Sequence, residues 1–519
     1  MAVQITAAQA AELVQSGSTI AVGGFGAYCG PDALLDALAR RYQETGAPVN
    51  LTTVSGISCG DNSREPVGMN RIAMEGLVGT IIAGHLANPP LFGDLAAHNQ
   101  AAAYTLPLGV VMNLYRAIAA HKPGVLTTIG LGTYADPREE GCKINEKARE
   151  QGREVVQLVN LAGRDCLFYP SFPIDICFIR GTYADEEGNI SIVQDAITGS
   201  EMEIAAATRN SGGVVVVQVE RILKAGSIPP RQVRIHRSLV DYVVTAPPEL
   251  TRQSYAARYR PELTGEIRCP TATLDPMPLS VRKVIARRAA MELVPNCVIN
   301  LGIGLPSGVG SVANEEDIGG MLLSLESGPI GGVPVEGLGF GASVNPESLI
   351  PVCNTFDLYD GGLLDMTFLG AAEIDRLGNV NVSKFGSRCM GPGGFINISQ
   401  NTPKVFFLSN FTAGKCEFEL SGGRLHIKKD GGVKFVDRVQ QITFSADYAR
   451  QTDQKITYIT ERAVFQLAED GIMLTEIAPG VDLQRDILDR MDFRPQIAPE
   501  LKTMDARLFL PQRMGLTRS

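Results

Sequence analysis

Short β-rich apolar runs alternate with helical periodicity along most of the chain, the pattern of parallel α/β sheets. In the first half the pattern predicts strands over Thr19–Gly24, Val49–Val54, Val155–Leu161, Ile174–Gly181, Val214–Val219 and Leu239–Thr245. Helices are predicted over Ala33–Tyr42 and Val110–Ala120. The run Val214-Val-Val-Val217 is apolar at every position, as a strand covered on both faces requires. At the start, Thr6 and Gln9 form a capping box, Ala10, Leu13 and Val14 an apolar stripe, and Gly17 a stop. This reads as an ordinary first helix and not as a signal peptide. No apolar run approaches the roughly 20 residues that span a bilayer.

From Ala246 to Leu279 the periodicity lapses into a stretch rich in Pro, Arg and Thr, read as a linker. Helical pattern resumes over Ser280–Leu293, and the apolar run Cys297–Leu301 ends in Gly-Ile-Gly-Leu-Pro. The expected organisation is therefore a domain over 1–245, a linker over 246–279 and a domain over 280–519. The two halves resemble each other. Thr19-Ile-Ala-Val-Gly-Gly-Phe-Gly is matched by Val298-Ile-Asn-Leu-Gly-Ile-Gly, and Gly181-Thr-Tyr-Ala-Asp-Glu-Glu-Gly-Asn by Gly370-Ala-Ala-Glu-Ile-Asp-Arg-Leu-Gly-Asn. Shared turn chemistry explains one such match, but two in the same order favour duplication. The fold expected is two related open α/β domains with mainly parallel sheets.

Composition narrows the chemistry. With 519 residues, 45% hydrophobic and 20% charged, the chain can bury large cores without metal or disulfide staples. Its ten cysteines include no CxxC pair, so neither a zinc site nor a thioredoxin-like centre is suggested. Scattered thiols of this kind suit a reducing, cytoplasmic setting. A net charge of −9 argues against nucleic-acid binding and obliges any polyanionic ligand to find a local basic patch. The five histidines show no HExxH spacing, and no GxSxG elbow is present. His85, after Ile81-Ile-Ala-Gly84, sits at a strand end and reads as structural.

The most informative segment is Met321-Leu-Leu-Ser-Leu-Glu-Ser-Gly-Pro-Ile-Gly-Gly-Val-Pro334, where an apolar strand runs into Glu326 and a Gly- and Pro-rich turn follows. In open α/β sheets the carboxyl ends of strands are where ligands bind, so Glu326 is placed for chemistry. Geometry alone suits a solvated or helix-capping carboxylate somewhat better. Three other Gly-rich loops, Gly23-Gly-Phe-Gly26, Gly302-Ile-Gly-Leu-Pro306 and Gly391-Pro-Gly-Gly-Phe395, can aim backbone N–H groups inward. None fits a phosphate-binding Walker loop, and Gly23–Gly26 lacks the dinucleotide spacing.

These stretches together resemble a family I CoA-transferase of the single-chain acetate/propionate type, in which two subunits are fused. The resemblance runs through Gly23-Gly-Phe-Gly-Ala-Tyr-Cys-Gly-Pro31, Leu106-Pro-Leu-Gly to Arg138, Glu326-Ser-Gly-Pro-Ile-Gly-Gly, Tyr458-Ile-Thr-Glu-Arg-Ala-Val-Phe and Glu476-Ile-Ala-Pro-Gly-Val-Asp-Leu-Gln. It implies a ping-pong reaction with Glu326 as nucleophile and coenzyme A as substrate, with no permanently bound cofactor and no metal. It places an oxyanion hole at Gly393 and Gly394 with Gly304 nearby. Gly24, Phe25, Gly26, Ile330 and Phe395 are candidate pocket residues. Acyl-CoA and short-chain carboxylates are the expected partners, and a homo-oligomer, dimer or tetramer, the expected state. Many relatives carry Ser-Glu-Asn-Gly at the nucleophile; here Leu325 separates Ser324 from Glu326 and Ser327 replaces the Asn, which leaves substrate preference open. A glutamate of ordinary pKa, about 4.3, would need no general base. The basic stretches Arg231–Arg237 and Arg282–Arg288 could meet CoA phosphates, though salt bridges or a solvated face suit them better. An acyl-CoA hydrolase on the same fold and a non-catalytic metabolite-binding protein remain the alternatives.

Overall fold

The computed structural model describes residues 2–270 and 276–516. Two compact units emerge, and they cut across the sequence halves. One comprises Met1–Cys269, Leu325–Asp357 and Ser383–Asn397, the other Pro270–Ser324, Leu358–Val382 and Ile398–Ser519.

The first unit is built on an eight-stranded sheet in the order Val3–Gln4, Tyr242–Thr245, Val214–Val219, Ile176–Arg180, Thr19–Val22, Leu51–Ile57, Val78–His85 and Ala102–Thr105. Every pairing in it is parallel. After the edge strand Val3–Gln4 the chain enters near the centre at Thr19–Val22, winds outward through Leu51–Ile57, Val78–His85 and Ala102–Thr105, then returns on the other side at Ile176–Arg180. That reversal is a topological switch point, beside which the carboxyl ends of the strands open a ligand crevice. Helices Asp32–Thr45 and Leu108–Ala119 bury Leu34, Leu35, Leu38, Val111, Tyr115 and Ile118. Asp32–Thr45 stops at Gly46, whose φ of 70° gives a left-handed C-cap. The Thr6–Gln9 capping box forms as the sequence predicts. Val155–Leu161 supplies a strand, Gln157–Leu161, but in a separate antiparallel sheet with Arg164–Pro170 and Gly124–Thr127.

Part of the segment expected to be a linker is folded onto this unit. Tyr255 N–H donates to Ala27 O at 2.9 Å, the Tyr255 hydroxyl to Asp32 Oδ2 at 2.8 Å, and Gln253 and Leu263 are buried. Residues 271–275 of that segment lie outside the described residues.

The second unit holds its own eight-stranded sheet, Leu322–Leu323, Val298–Leu301, Met366–Gly370, Lys404–Leu408, Lys455–Ile459, Ala463–Ala468, Gly471–Ile477 and Gln496–Thr503. It is parallel as far as Lys455–Ile459, antiparallel through Ala463–Ala468 to Gly471–Ile477, and parallel again at the edge strand Gln496–Thr503. Its core packs Val284, Ile285, Val309, Val312, Phe368 and Phe406 from facing helices and strands.

The duplication read in the sequence has a structural signature. Tyr183–Asp185 pairs antiparallel with Ile190–Ser191 and parallel with Arg221–Leu223; Glu373–Asp375 pairs antiparallel with Val380–Asn381 and parallel with Phe435–Val436. Asp185 Oδ1 accepts from the N–H groups of Glu187 and Asn189 at 3.0 and 2.9 Å, and its Oδ2 from Asn189 Nδ2 at 3.0 Å. Asp375 makes the same three bonds, at the same lengths, with Leu377 and Asn379. A common turn motif does not by itself reproduce both the bond set and the strand order.

Arg462, inside one of the stretches that carry the family resemblance, is wholly buried. It meets Asp430 at 2.7 and 3.0 Å and Glu461 at 2.7 Å, and its guanidinium stands 5.0 Å from the Phe411 ring centroid. Removing one partner of such a network strands the others without solvation, at about 3–5 kcal/mol. Arg462→Ala should lose that much in urea unfolding; a loss under about 1 kcal/mol would show the network to be dispensable. Among the described residues no helix is long and apolar enough to cross a membrane.

Candidate active site

The carboxyl edge of the first unit's sheet is where the loops gather. After Val22 the chain turns through Gly23, Gly24, Phe25 and Gly26. Phe25 and Tyr28 exchange backbone bonds of 2.9 and 3.0 Å, closing a tight turn, and Gly26 N–H reaches Ile57 O at 3.4 Å. Gly24 has a φ of 110°, and a Cβ there would stand 3.0 Å from the Cys59 side chain, so glycine is required. Phe25 is buried. At the neighbouring strand ends Ser58 N–H donates to His85 O at 3.0 Å and Asn62 N–H to Asn88 O at 2.8 Å.

Onto this edge the loop Gly391-Pro-Gly-Gly-Phe395 is stitched from both sides. Leu86 N–H donates to Met390 O at 2.8 Å, Gly393 N–H to Gly84 O at 3.0 Å, and Leu108 N–H to Gly393 O at 3.0 Å. Asn397 Oδ1 accepts from Gly109 N–H at 3.0 Å. This corrects one expectation: Gly393 cannot offer its own N–H to an oxyanion, because Gly84 already takes it. Gly394 is buried and its N–H has no hydrogen-bond partner among the described residues. Buried backbone donors are seldom left orphaned, so a ligand atom is a natural partner for this one. Phe395, also buried, begins the helix Phe395–Gln400. His85 lies under the loop, its Cδ2 3.7 Å from where a Cβ on Gly393 would be. Burial pushes its imidazole down to about 4, so it is neutral at physiological pH, as its structural reading requires.

Glu326 stands at the tip of a closed turn. The edge strand Leu322–Leu323 ends, and at Leu325 the chain passes into the first unit. Leu325 N–H donates to Pro329 O at 2.9 Å and Gly328 N–H to Leu325 O at 3.0 Å, bracketing Glu326. Ile350 N–H holds Gly328 O at 3.0 Å, and Pro329–Ile330 pairs antiparallel with Ser348–Leu349. The Ser327 hydroxyl donates to Gly341 O, and the Tyr28 hydroxyl to Gly339 O two residues earlier. The Glu326 turn and the Phe25 loop are thus anchored to the same short segment. Tyr28 was not singled out by the sequence, and Ser327 was noted there only as the replacement of an Asn, though both lie within motifs that carry the resemblance.

The Glu326 carboxyl has no hydrogen-bond or ion-pair partner among the described residues and keeps some access to solvent. Protein nonetheless crowds it closely enough that burial alone pushes it up to about 7. The expectation of an ordinary carboxylate pKa is therefore wrong, and the reason is desolvation without a compensating cation. Such a carboxylate is more basic, hence more nucleophilic, and is still substantially ionised at neutral pH. The rate of CoA transfer under kcat/KM conditions should fall tenfold per pH unit below about 7. A limb near 4.5 instead would show that the group is solvated in the free enzyme.

Ile330, on the strand after the turn, is half-buried. Gly304 belongs to the other unit, where its carbonyl accepts from Arg282 Nη2 and Ser307 Oγ, each at 2.8 Å. The basic stretches are largely committed to structure. Arg287 is fully buried against Leu510 O and Gln512 O, Arg288 pairs with Glu476 and Glu292, and Arg234 with Glu203. Among the described residues no group of three or more His, Cys, Asp or Glu is placed to hold a metal ion.

The comparisons with known proteins meet this geometry. Residues 4–246 match the family model described as Coenzyme A transferase. The chain is 44% identical to a caffeate CoA-transferase of Acetobacterium woodii, over 99% of both chains. It is 41% identical to the acetate CoA-transferase YdiF of Escherichia coli K12, over 98% of this chain and 96% of that one. The chain is a family I CoA-transferase. Its fold agrees with the crystal structure of the YdiF apoenzyme from E. coli O157:H7, at a TM-score of 0.94 and 40% identity, over 99% of this chain and 98% of that one. A YdiF thioester complex with CoA superposes at 0.92. In this CoA-transferase Glu326, Phe25, Gly394 and Ile330 therefore fall in one compact unit, on loops joined by the bonds described above.

Proposed function

We infer that this CoA-transferase works by a ping-pong mechanism through a glutamyl-CoA thioester on Glu326, with acetate- and propionate-type acids as donors and acceptors. The observation that carries the reading is the unpaired, desolvated Glu326 carboxyl at the tip of a fixed turn. Ionised, it attacks the acyl-CoA carbonyl carbon; the tetrahedral oxyanion collapses, the C–S bond breaks, and CoA thiolate leaves a mixed anhydride. The thiolate then attacks the glutamyl carbonyl, releasing the first acid as carboxylate and forming the glutamyl thioester. An incoming carboxylate reverses both steps.

No general base is required, which fits the neutral His85. Each oxyanion needs a donor, and the Gly394 N–H is open for that role; such a donor contributes on the order of 3 kcal/mol to the transition state. Phe25, Phe395 and Ile330 supply apolar surface that keeps water from the anhydride. The YdiF thioester complex with CoA supports a covalent thioester in this family.

The test is acceptor dependence with a panel of acids. Acetyl-CoA should be consumed only when an acceptor acid is supplied, with kcat/KM for acetate or propionate at least about tenfold above that for caffeate. Steady CoA release without an acceptor would make the enzyme a hydrolase. A reversed order of acids would overturn the short-chain part of the reading and align the chain with its A. woodii relative.

A further inference from the structure

Apart from the exposed Arg231, the basic stretches are largely committed to structure, which leaves room for a further cation to meet the phosphates of coenzyme A. A cleft of about 390 Å³, within the roughly 300–1,000 Å³ usual for ligand sites, opens in the first unit. Thr264, Gly265 and Arg268 form one wall, and Asn345, Pro346, Glu347, Ser348 and Leu349 the other.

Its polar groups divide sharply into occupied and open. Asn345 is spent on the backbone of Cys269, accepting from its N–H at 2.9 Å and donating to its carbonyl at 2.8 Å. The Thr264 hydroxyl donates to Pro261 O at 3.0 Å. Two neighbouring carboxylates are also engaged, Glu262 with Arg260 and Glu266 with the Tyr259 hydroxyl. The side chains of Arg268, Glu347 and Ser348 make no hydrogen bond or ion pair among the described residues, and all three are exposed. The cleft therefore offers one guanidinium, one carboxylate and one hydroxyl.

The cleft also lies on the strand pair that carries the nucleophile. Ile330 is four residues beyond Glu326, at most about 15 Å along the chain, and Ser348 is its direct partner, about 5 Å across the ladder. The cleft is therefore within reach of a long, flexible arm that starts at Glu326.

From this arrangement we propose that the cleft receives the 3′-phosphorylated ribose of coenzyme A, with Arg268 and Ser348 on the 3′-phosphate and Glu347 accepting from the ribose 2′-hydroxyl. Guanidinium is the group suited to a phosphate, and a carboxylate on a ribose hydroxyl is an established mode of nucleotide recognition. The assignment rests on the reading that the acyl group is carried at Glu326, since that fixes where the arm begins.

Calorimetric titration of the full chain with adenosine 3′,5′-bisphosphate and adenosine 5′-monophosphate tests it without catalysis. The wild type should bind the bisphosphate about tenfold or more tightly, and Arg268→Ala should erase the difference. In turnover, the KM advantage of acetyl-CoA over 3′-dephospho-acetyl-CoA should vanish in Arg268→Ala and shrink in Ser348→Ala. Equal binding of both nucleotides by the wild type, or an undiminished preference in Arg268→Ala, overturns the proposal. An Arg268-dependent preference in a protein that forms no adduct at Glu326 keeps the cleft and rejects the nucleophile.

Discussion

Glu326→Gln should lower CoA transfer by at least about 10⁴-fold, because the substitution removes the atom that forms the covalent bond and nothing nearby can replace it. His85 is neutral and lies half-buried under the Gly391–Phe395 loop. The same variant should be more stable than the wild type at high pH. Burial raises the folded-state pKa of Glu326 above its unfolded value, so the folded protein prefers the neutral carboxyl. Ionising it costs stability progressively as pH rises from about 4.5 through about 7, on the order of 1–3 kcal/mol once some solvent access is allowed for. Glutamine carries no such cost. Thermal unfolding should therefore favour Glu326→Gln at pH 8 and show no difference near pH 4. A variant less stable than the wild type at pH 8 would show that the carboxylate has a stabilising partner.

The second large effect is expected at Gly328, two residues beyond the nucleophile. Its φ is 114°, and a Cβ there would stand 2.0 Å from Ile350 O, the carbonyl of the residue whose N–H holds Gly328 in place. Gly328→Ala must open either the Leu325–Pro329 turn or its tie to Ile350. Displacing a reacting group by about 1 Å typically costs on the order of 10²-fold in rate, so kcat should fall by that much or more. The fold should survive, since the turn is local. Gly337→Ala is the control: it also has positive φ, at 63°, but nothing lies within 4 Å of its Cβ position. Equal losses at the two positions would mean that backbone strain, and not displacement of Glu326, is responsible.

Much of the scaffold was legible because parallel strands covered on both faces leave uninterrupted β-branched runs. Val214–Val219 matches to the residue, and Ile176–Arg180 and Tyr242–Thr245 fall inside their predicted ranges. Ala102–Thr105 went unassigned because two alanines dilute its β signal, although every residue in it is buried. The stretch from Ala246 looked like a tether because Pro and Arg break any period, yet Gln253 and Tyr255 fix its first part by individual hydrogen bonds. Glu326 as a candidate was legible from its strand–Glu–Gly context and the family motif. Its raised pKa was not, since crowding by sequence-distant loops leaves no local trace. Nor could the sequence show that Gly393 spends its N–H on Gly84 while Gly394 keeps its own.

The most direct test of the central claim is to incubate the enzyme with acetyl-CoA, treat it with borohydride and map the peptides by mass spectrometry. The account predicts reduction of a thioester at Glu326 alone, with loss of activity in proportion, and no modification of Glu326→Gln. An enzyme that transfers CoA while the peptide holding Glu326 stays unmodified would contradict it.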